Sequence, residues 1–189
     1  MEFTFNFYIK LLKTLLTQGF LFYTLLEYFT LEKLQTPFVI LRHDVEARYE
    51  NALRFAEIQH RLGIRGSYYF RIMPKSYNGT IIRQIAEMGH EIGYHYDDLS
   101  ACRGDLKKAY ARFEKNLAYL REIAPVKTIT MEGAPLSRYD NRNLWKWENF
   151  NKYANHYLNH QPKPQTLNPE HQTPNTKPRT PNPEHQTPN

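Results

Sequence analysis

Near the start of the chain apolar residues return at helical spacing. Tyr8, Leu11, Leu12, Leu15 and Leu16 recur with Lys10, Lys13 and Thr14 between them. That rhythm predicts an amphipathic helix, stopped by Gly19 in the C′ position. FLFY then reads as a short strand and TLLEYFTLEKL as a second helix ended by Pro37, so residues 1–37 form a mainly helical extension. From Phe38 the alternation becomes regular. FVILRHDV is a strand, YENALRFAEIQHRLGI a helix, GSYYFRI a strand, and PKSYNG a loop. TIIRQIAEMG is a helix closed by Gly89, and HEIGYH is a short strand followed by the loop YDDLSACRG. Between Asp105 and Ala124 the positions Leu106, Ala109, Tyr110, Phe113, Leu117 and Leu120 keep the 3.6-residue period, and VKTITM supplies the next strand.

Strand and helix alternating in this way predict an α/β fold, a parallel sheet with helices outside it. In such sheets functional groups gather beyond the carboxyl ends of the strands. Three strand ends then carry similar chemistry. His43, Asp44 and Glu46 follow residues 38–41; His95, Asp97 and Asp98 follow 91–94; Glu132 follows 126–131; Phe70 and Arg71 end the strand between. Imidazole nitrogen with carboxylate oxygen suits zinc and other first-row divalent ions. Each residue taken singly also reads as a strand-end cap or surface ion pair. Asp44 with Arg42 or Arg48 is one such pair, and only the coincidence at three strands favours a site. His90 lies five residues before His95, which in an extended strand puts the two on opposite faces, so His90 reads as structural. In GSYYFRI one of Tyr68 and Tyr69 packs in the core and the other faces the rim, with core packing the default for both. Ser137 lacks a nucleophile turn or paired base and reads as a loop hydroxyl.

Composition narrows the picture further. The chain has 189 residues, 41% hydrophobic and 23% charged, enough for one domain with a core. From about Gln161 nearly all apolar residues vanish, and NPEHQTPN occurs at 168–175 and again at 182–189. Prolines that dense forbid helix, so 161–189 is expected to be a disordered tail on a domain spanning 1–160. The net charge of +6 is spread among alternating acids and bases, which argues against a nucleic-acid groove. The single cysteine, Cys102, allows no intrachain disulfide. Lys10, Lys13, Gln18 and Glu27 interrupt the Leu- and Phe-rich start, so it is neither a membrane span nor a signal segment with a cleavage site. Those readings lead to the expectation of a cytoplasmic protein.

In this order, ILRHDVE, GSYYFRI, EMGHEIGYHYDDL and MEGAPLSRYDN resemble the polysaccharide deacetylase family of carbohydrate esterases. They come nearest to its branch whose first motif reads R-H-D-V-[DE], over roughly residues 1–150. The resemblance implies a distorted (β/α) barrel that removes acetyl groups from a carbohydrate or related substrate with one divalent metal ion. Carried over by position, Asp44 and His95 become metal ligands. The family's base position falls on His43, making His43 or Glu46 the proton acceptor. The family's second metal histidine falls on Leu99, which cannot ligate. A third ligand is then expected from Glu132, or from Asp97 or Asp98. Arg42, Arg71, Tyr69, Asp97 and Asp98 are the candidate substrate contacts. The family's barrel needs strands beyond the third motif, where this sequence has only WKWENFNKYANHYLNH before the proline-rich segment. The resemblance therefore implies a C-terminally truncated barrel, with Trp145, Trp147, Phe150 and Tyr153 as core residues short of partners. A catalytically inactive remnant that binds carbohydrate or serves as a scaffold is the alternative.

Overall fold

The structure is a computed structural model that describes residues 4–134 and 136–146; the readings placed on 147–160 and on the repeated segment lie outside them. Helix α1, Phe5–Thr17, starts at Thr4, whose hydroxyl accepts from the Phe7 amide. It ends as the sequence implies. Gly19 sits at φ +81, its amide reaches the Leu16 carbonyl, and the Phe20 amide reaches Leu15, which closes the helix with a Schellman pattern. Strand β1, Leu21–Tyr23, follows, and then α2, Leu25–Thr30. Thr24 and Glu27 form a reciprocal capping box there. Helix α2 stops at Thr30 and does not run on to Pro37.

The stretch expected as one strand from Phe38 is two. Strand β2, Phe38–Ile40, pairs in parallel with β1, and β3, Arg42–Val45, pairs in parallel with β4, Ser67–Phe70. Leu41 is the hand-over, its carbonyl taking the Ser67 amide at 2.8 Å. Beyond β4 lie β5, Glu91–Tyr96, and β6, Ile129–Met131, giving a four-stranded parallel sheet in the order β3-β4-β5-β6. The protein is mixed α/β, and its parallel sheet curls into a half-barrel. Helices α3, Tyr49–Arg61; α4, Gly79–Glu87; and α6, Leu106–Arg121, intervene between strands as their periodicity predicts. The loop after β5 contains a further turn of helix, α5, Asp98–Ala101, and Asn141–Lys146 form a 3-10 turn.

Register decides which side chains share a face. His43 stands opposite Tyr68, and Tyr68 opposite Ile92. With Val45, Phe70, Tyr94 and Tyr96 these residues form the convex face. There they join Ala52, Ala56, Ile82, Ile85, Phe113, Leu117 and Leu120 of the surrounding helices in the main core. A second cluster of Tyr8, Leu12, Ile58 and Ile64 fastens α1 to this body. The concave face carries Arg42 and Asp44, Ser67 and Tyr69, Glu91, Gly93 and His95, and Thr130, by the two-residue alternation of a strand. Trp145 closes one end of the core, its indole N–H donating to the Tyr96 hydroxyl at 2.8 Å. Among the described residues no helix is long and apolar enough to cross a membrane.

Candidate metal centre

The concave face is filled at its lower end. Glu91 is buried there and accepts from four donors: the Leu26 amide at 3.0 Å, the Ser67 hydroxyl at 2.6 Å, the Tyr69 hydroxyl at 3.4 Å, and Thr128 Oγ1. A buried carboxylate is tolerated when donors saturate it, and here it ties α2 to β4, β5 and the residue that leads into β6. Above it the Tyr69 ring lies where a Cβ on Gly93 would be, so this glycine is needed for space. Tyr69 is fully buried, which corrects its assignment as a substrate contact.

At the carboxyl rim the ligand atoms of Glu46, His95 and Glu132 all lie within 4.8 Å of one another. Among the described residues this is the one such group. The period of two explains it. Asp44 stands level with Tyr69 and Gly93, one tier below His95, which is level with Thr130. Continued by two residues from Asp44 and Tyr69, the same tier brings Glu46 and Arg71 to the height of His95. Asp44 is therefore too low, and the geometry puts Glu46 in the place expected of it. The Asp44 carboxylate is instead held by Arg42, at 2.9 Å from Nε and 2.8 Å from Nη2, with the guanidinium over the Tyr69 ring. Arg42 is thus engaged at the foot of the cleft, away from the rim where a substrate contact was expected.

His43 needs a larger correction, because it faces the other side of the sheet. Its ring stacks on Tyr68 with centroids 4.4 Å apart, and its Nε2 accepts from the Gln59 amide at 2.6 Å. Burial first, and then His90, push its pKa down to about 4, so it is neutral at ordinary pH. It has no route to a proton in the cleft. His90 is structural, as its spacing implies: Nδ1 accepts from the Gly66 amide and Nε2 donates to the Ala56 carbonyl, each at 3.0 Å.

His95 is 3% exposed and is held from behind. Its Nδ1 lies 2.9 Å from Thr130 Oγ1 and 3.3 Å from the Thr130 carbonyl. A carbonyl only accepts, so a proton on Nδ1 satisfies it, and in that tautomer Nε2 presents a bare lone pair. That lone pair faces Glu132 Oε2 at 3.0 Å, and Oε2 is buried with no aligned hydrogen-bond donor. Two acceptors this close require a cation or a proton between them. In a tetrahedral zinc site neighbouring N and O ligand atoms stand about 3.3 Å apart, so the pair fits such an ion with little movement. Glu46 is exposed and offers a carboxylate oxygen within 4.8 Å of both.

Around the pair runs a chain of alternating charge. Arg71 Nη1 is 3.6 Å from Glu132 Oε2, and its Nη2 is 2.5 Å from Asp97. Arg112 from α6 then bonds Asp97 at 2.8 Å and Asp98 at 2.6 Å. Burial raises the Asp97 pKa, but the bonds from Arg71 and Arg112 outweigh it and leave the group below the usual carboxylate range. Asp98 goes the other way. It is fully buried and its pKa is pushed up to about 6, chiefly by burial and partly by Asp97, against the Tyr94 and Arg112 bonds. Both aspartates were expected to touch substrate; both are instead buried supports beneath Arg71. Leu99 is a core residue on α5, 3% exposed.

Arg112, Asn116 and Thr130 escaped the sequence reading. A signal for the first two existed: both interrupt the apolar stripe of α6, beside Ala109, Phe113 and Leu117. No protein-family model, curated protein or solved structure matches this chain. Its class rests on fold and site: a curled parallel α/β sheet with a carboxylate–imidazole cluster at its carboxyl rim.

Proposed function

We propose that the chain is a metal-dependent hydrolase of the polysaccharide deacetylase type, removing acetyl groups from a carbohydrate or related amide or ester. The observation that carries this reading is His95 Nε2 facing Glu132 Oε2, a buried oxygen without a hydrogen-bond donor, at 3.0 Å, with Glu46 beside them. The motif order, the parallel strands and the position of the cluster at their carboxyl ends agree with it. His95, Glu132 and Glu46 would hold the divalent ion, zinc being one candidate. Such an ion supplies Lewis-acid polarisation of an acyl oxygen and a lowered water pKa.

The chain's own groups divide the remaining work. Thr130 fixes the ring of His95, and the buried tier below closes the floor of the cleft. Glu46 is the exposed rim carboxylate, so it has room to take a proton from water or to approach the ion. Arg71 places a guanidinium beside Glu132, where negative charge develops on an acyl oxygen. His43 has no part.

The test is acetate release by the purified full chain from N-acetylated oligosaccharides and an O-acetylated sugar, with the chain's metal content measured in parallel. The expected result is zinc- or cobalt-dependent release that His95→Gln abolishes. No bound metal in wild type, or equal release by His95→Gln, would overturn the reading. The second reading, an inactive carbohydrate-binding or scaffold remnant, draws on Leu99 and Asp44. These are two positions where the family places ligands, and one is in the core while the other is paired to Arg42. Sugar binding without acetate release would favour it.

A further inference from the structure

The metal cluster has a cation beside it already. Arg71 Nη1 stands 3.6 Å from the Glu132 oxygen that faces His95, beyond hydrogen-bond reach but close enough to balance its charge. The opposite nitrogen of the same guanidinium is 2.5 Å from Asp97. Asp97 in turn is fixed by Arg112 at 2.8 Å, and Arg112 by Asp98 at 2.6 Å. Asp98 is anchored by the Tyr94 hydroxyl at 2.7 Å and by Asn116 at 3.3 Å. The arginine is thus pulled away from Glu132 by a buried ladder that reaches back into α6.

We propose that Arg71 is an internal competitor for the metal and that Asp97 is the positioning residue that restrains it. A divalent ion on Glu132 would lie within a few ångströms of Nη1, where like charges repel strongly in a half-buried site. Were Arg71 free, it would close on Glu132 and take the ion's place. Held by Asp97, it balances the carboxylate without occupying it, which leaves the ion bound yet exchangeable. The unpartnered, buried Nε of Arg71 fits a guanidinium oriented by one bond and not by a full set of acceptors.

This inference rests on the metal reading above, and its sign separates it from a structural role. A support residue weakens metal binding when removed; a competitor strengthens it. Zinc and cobalt dissociation constants are measured by calorimetry and chelator competition on the full chain. Wild type, Arg71→Gln, Arg71→Lys, Asp97→Asn and His95→Gln are compared, with thermal melts to confirm folding. Removing the charge in Arg71→Gln should tighten binding about tenfold, Arg71→Lys should stay near wild type, and Asp97→Asn should weaken binding. If wild-type binding depends on His95 but Arg71→Gln binds no tighter, the competition is overturned and the metal reading stands. Should Arg71→Gln misfold, Asp97→Asn binding as tightly as wild type overturns it instead. Binding by Arg71→Gln alone supports it, and binding by none of the folded proteins sinks both.

Discussion

His95 Nε2 and Glu132 Oε2 stand 3.0 Å apart without an aligned hydrogen bond between them, and behind the ring the Thr130 carbonyl offers the far nitrogen an acceptor that would hold the imidazole hydrogen there. The orienting partner of a metal-bound histidine sets its tautomer in this way. With a 15N-labelled chain at pH 8, His95 is expected as the Nδ1–H tautomer, assigned by the loss of its signal in His95→Gln. Thr130→Val removes the shorter contact and should weaken metal binding by about tenfold or more, with Thr130→Ser restoring it. An Nε2–H tautomer in wild type would mean that the two groups are a plain hydrogen-bonding pair.

Glu46 and Asp44 differ by one tier of the sheet, and that difference is measurable. Asp44→Asn should leave metal affinity within about threefold of wild type, since its carboxylate is bonded to Arg42 below the cluster. Glu46→Gln should act on the site itself. A loss of affinity makes Glu46 a ligand, and intact affinity with lost turnover makes it the proton acceptor. If Asp44→Asn abolishes binding while Glu46→Gln is silent, the tier assignment is wrong.

Gly93 holds space for Tyr69. A methyl group at position 93 would overlap the Tyr69 ring, which is itself pinned by its hydroxyl bonds to Thr128 and Glu91. Gly93→Ala should cost about 3 kcal/mol, the upper range of overpacking in a rigid core. Adding Tyr69→Ala should recover part of that loss, giving strong non-additivity in urea unfolding. Simple additivity of the two changes would show that the floor of the cleft is softer than its packing implies.

The elements were legible because each has a one-dimensional cause. Gly19 and Gly89 end helices at positive φ, and the apolar period of α6 returns as its buried stripe. The strand-end rule led to His95, Glu132 and Arg71. It misplaced His43 and Asp44, because charged Arg42–Val45 is still strand, and one residue of strand reverses the face. Sequence period alone does not say where pairing passes from β1 to β4, and that hand-over at Leu41 sets the tier of every residue after it. The Arg71–Asp97–Arg112–Asp98 ladder joins elements up to 41 positions apart along the chain, from Arg71 to Arg112, so no local pattern announces it.

Two buried groups give the protein opposing responses to acid. His43 is held near pH 4 by burial, against 6.5 when unfolded, so the unfolded chain takes up its proton first. Its contribution is complete above about 6.5 and is lost as pH falls toward 4, and His90, also lowered by burial, acts in the same sense. Asp98 is raised to about 6 from 3.8, so the native state keeps a proton that the unfolded chain has released. Its contribution is complete below about 3.8 and is lost as pH rises through 6. Each shift corresponds to about 3 kcal/mol, and between pH 4 and 6 the two oppose each other. Asp98→Asn removes one side of that balance. Its unfolding free energy in urea should fall by about 3 kcal/mol from pH 6.5 to 4 relative to its own neutral value, whereas wild type changes little. His43→Gln should reverse the slope, becoming more stable as the pH drops toward 4. Parallel profiles for wild type and Asp98→Asn would mean that Asp98 titrates as an ordinary aspartate and that Arg112 overrides its burial.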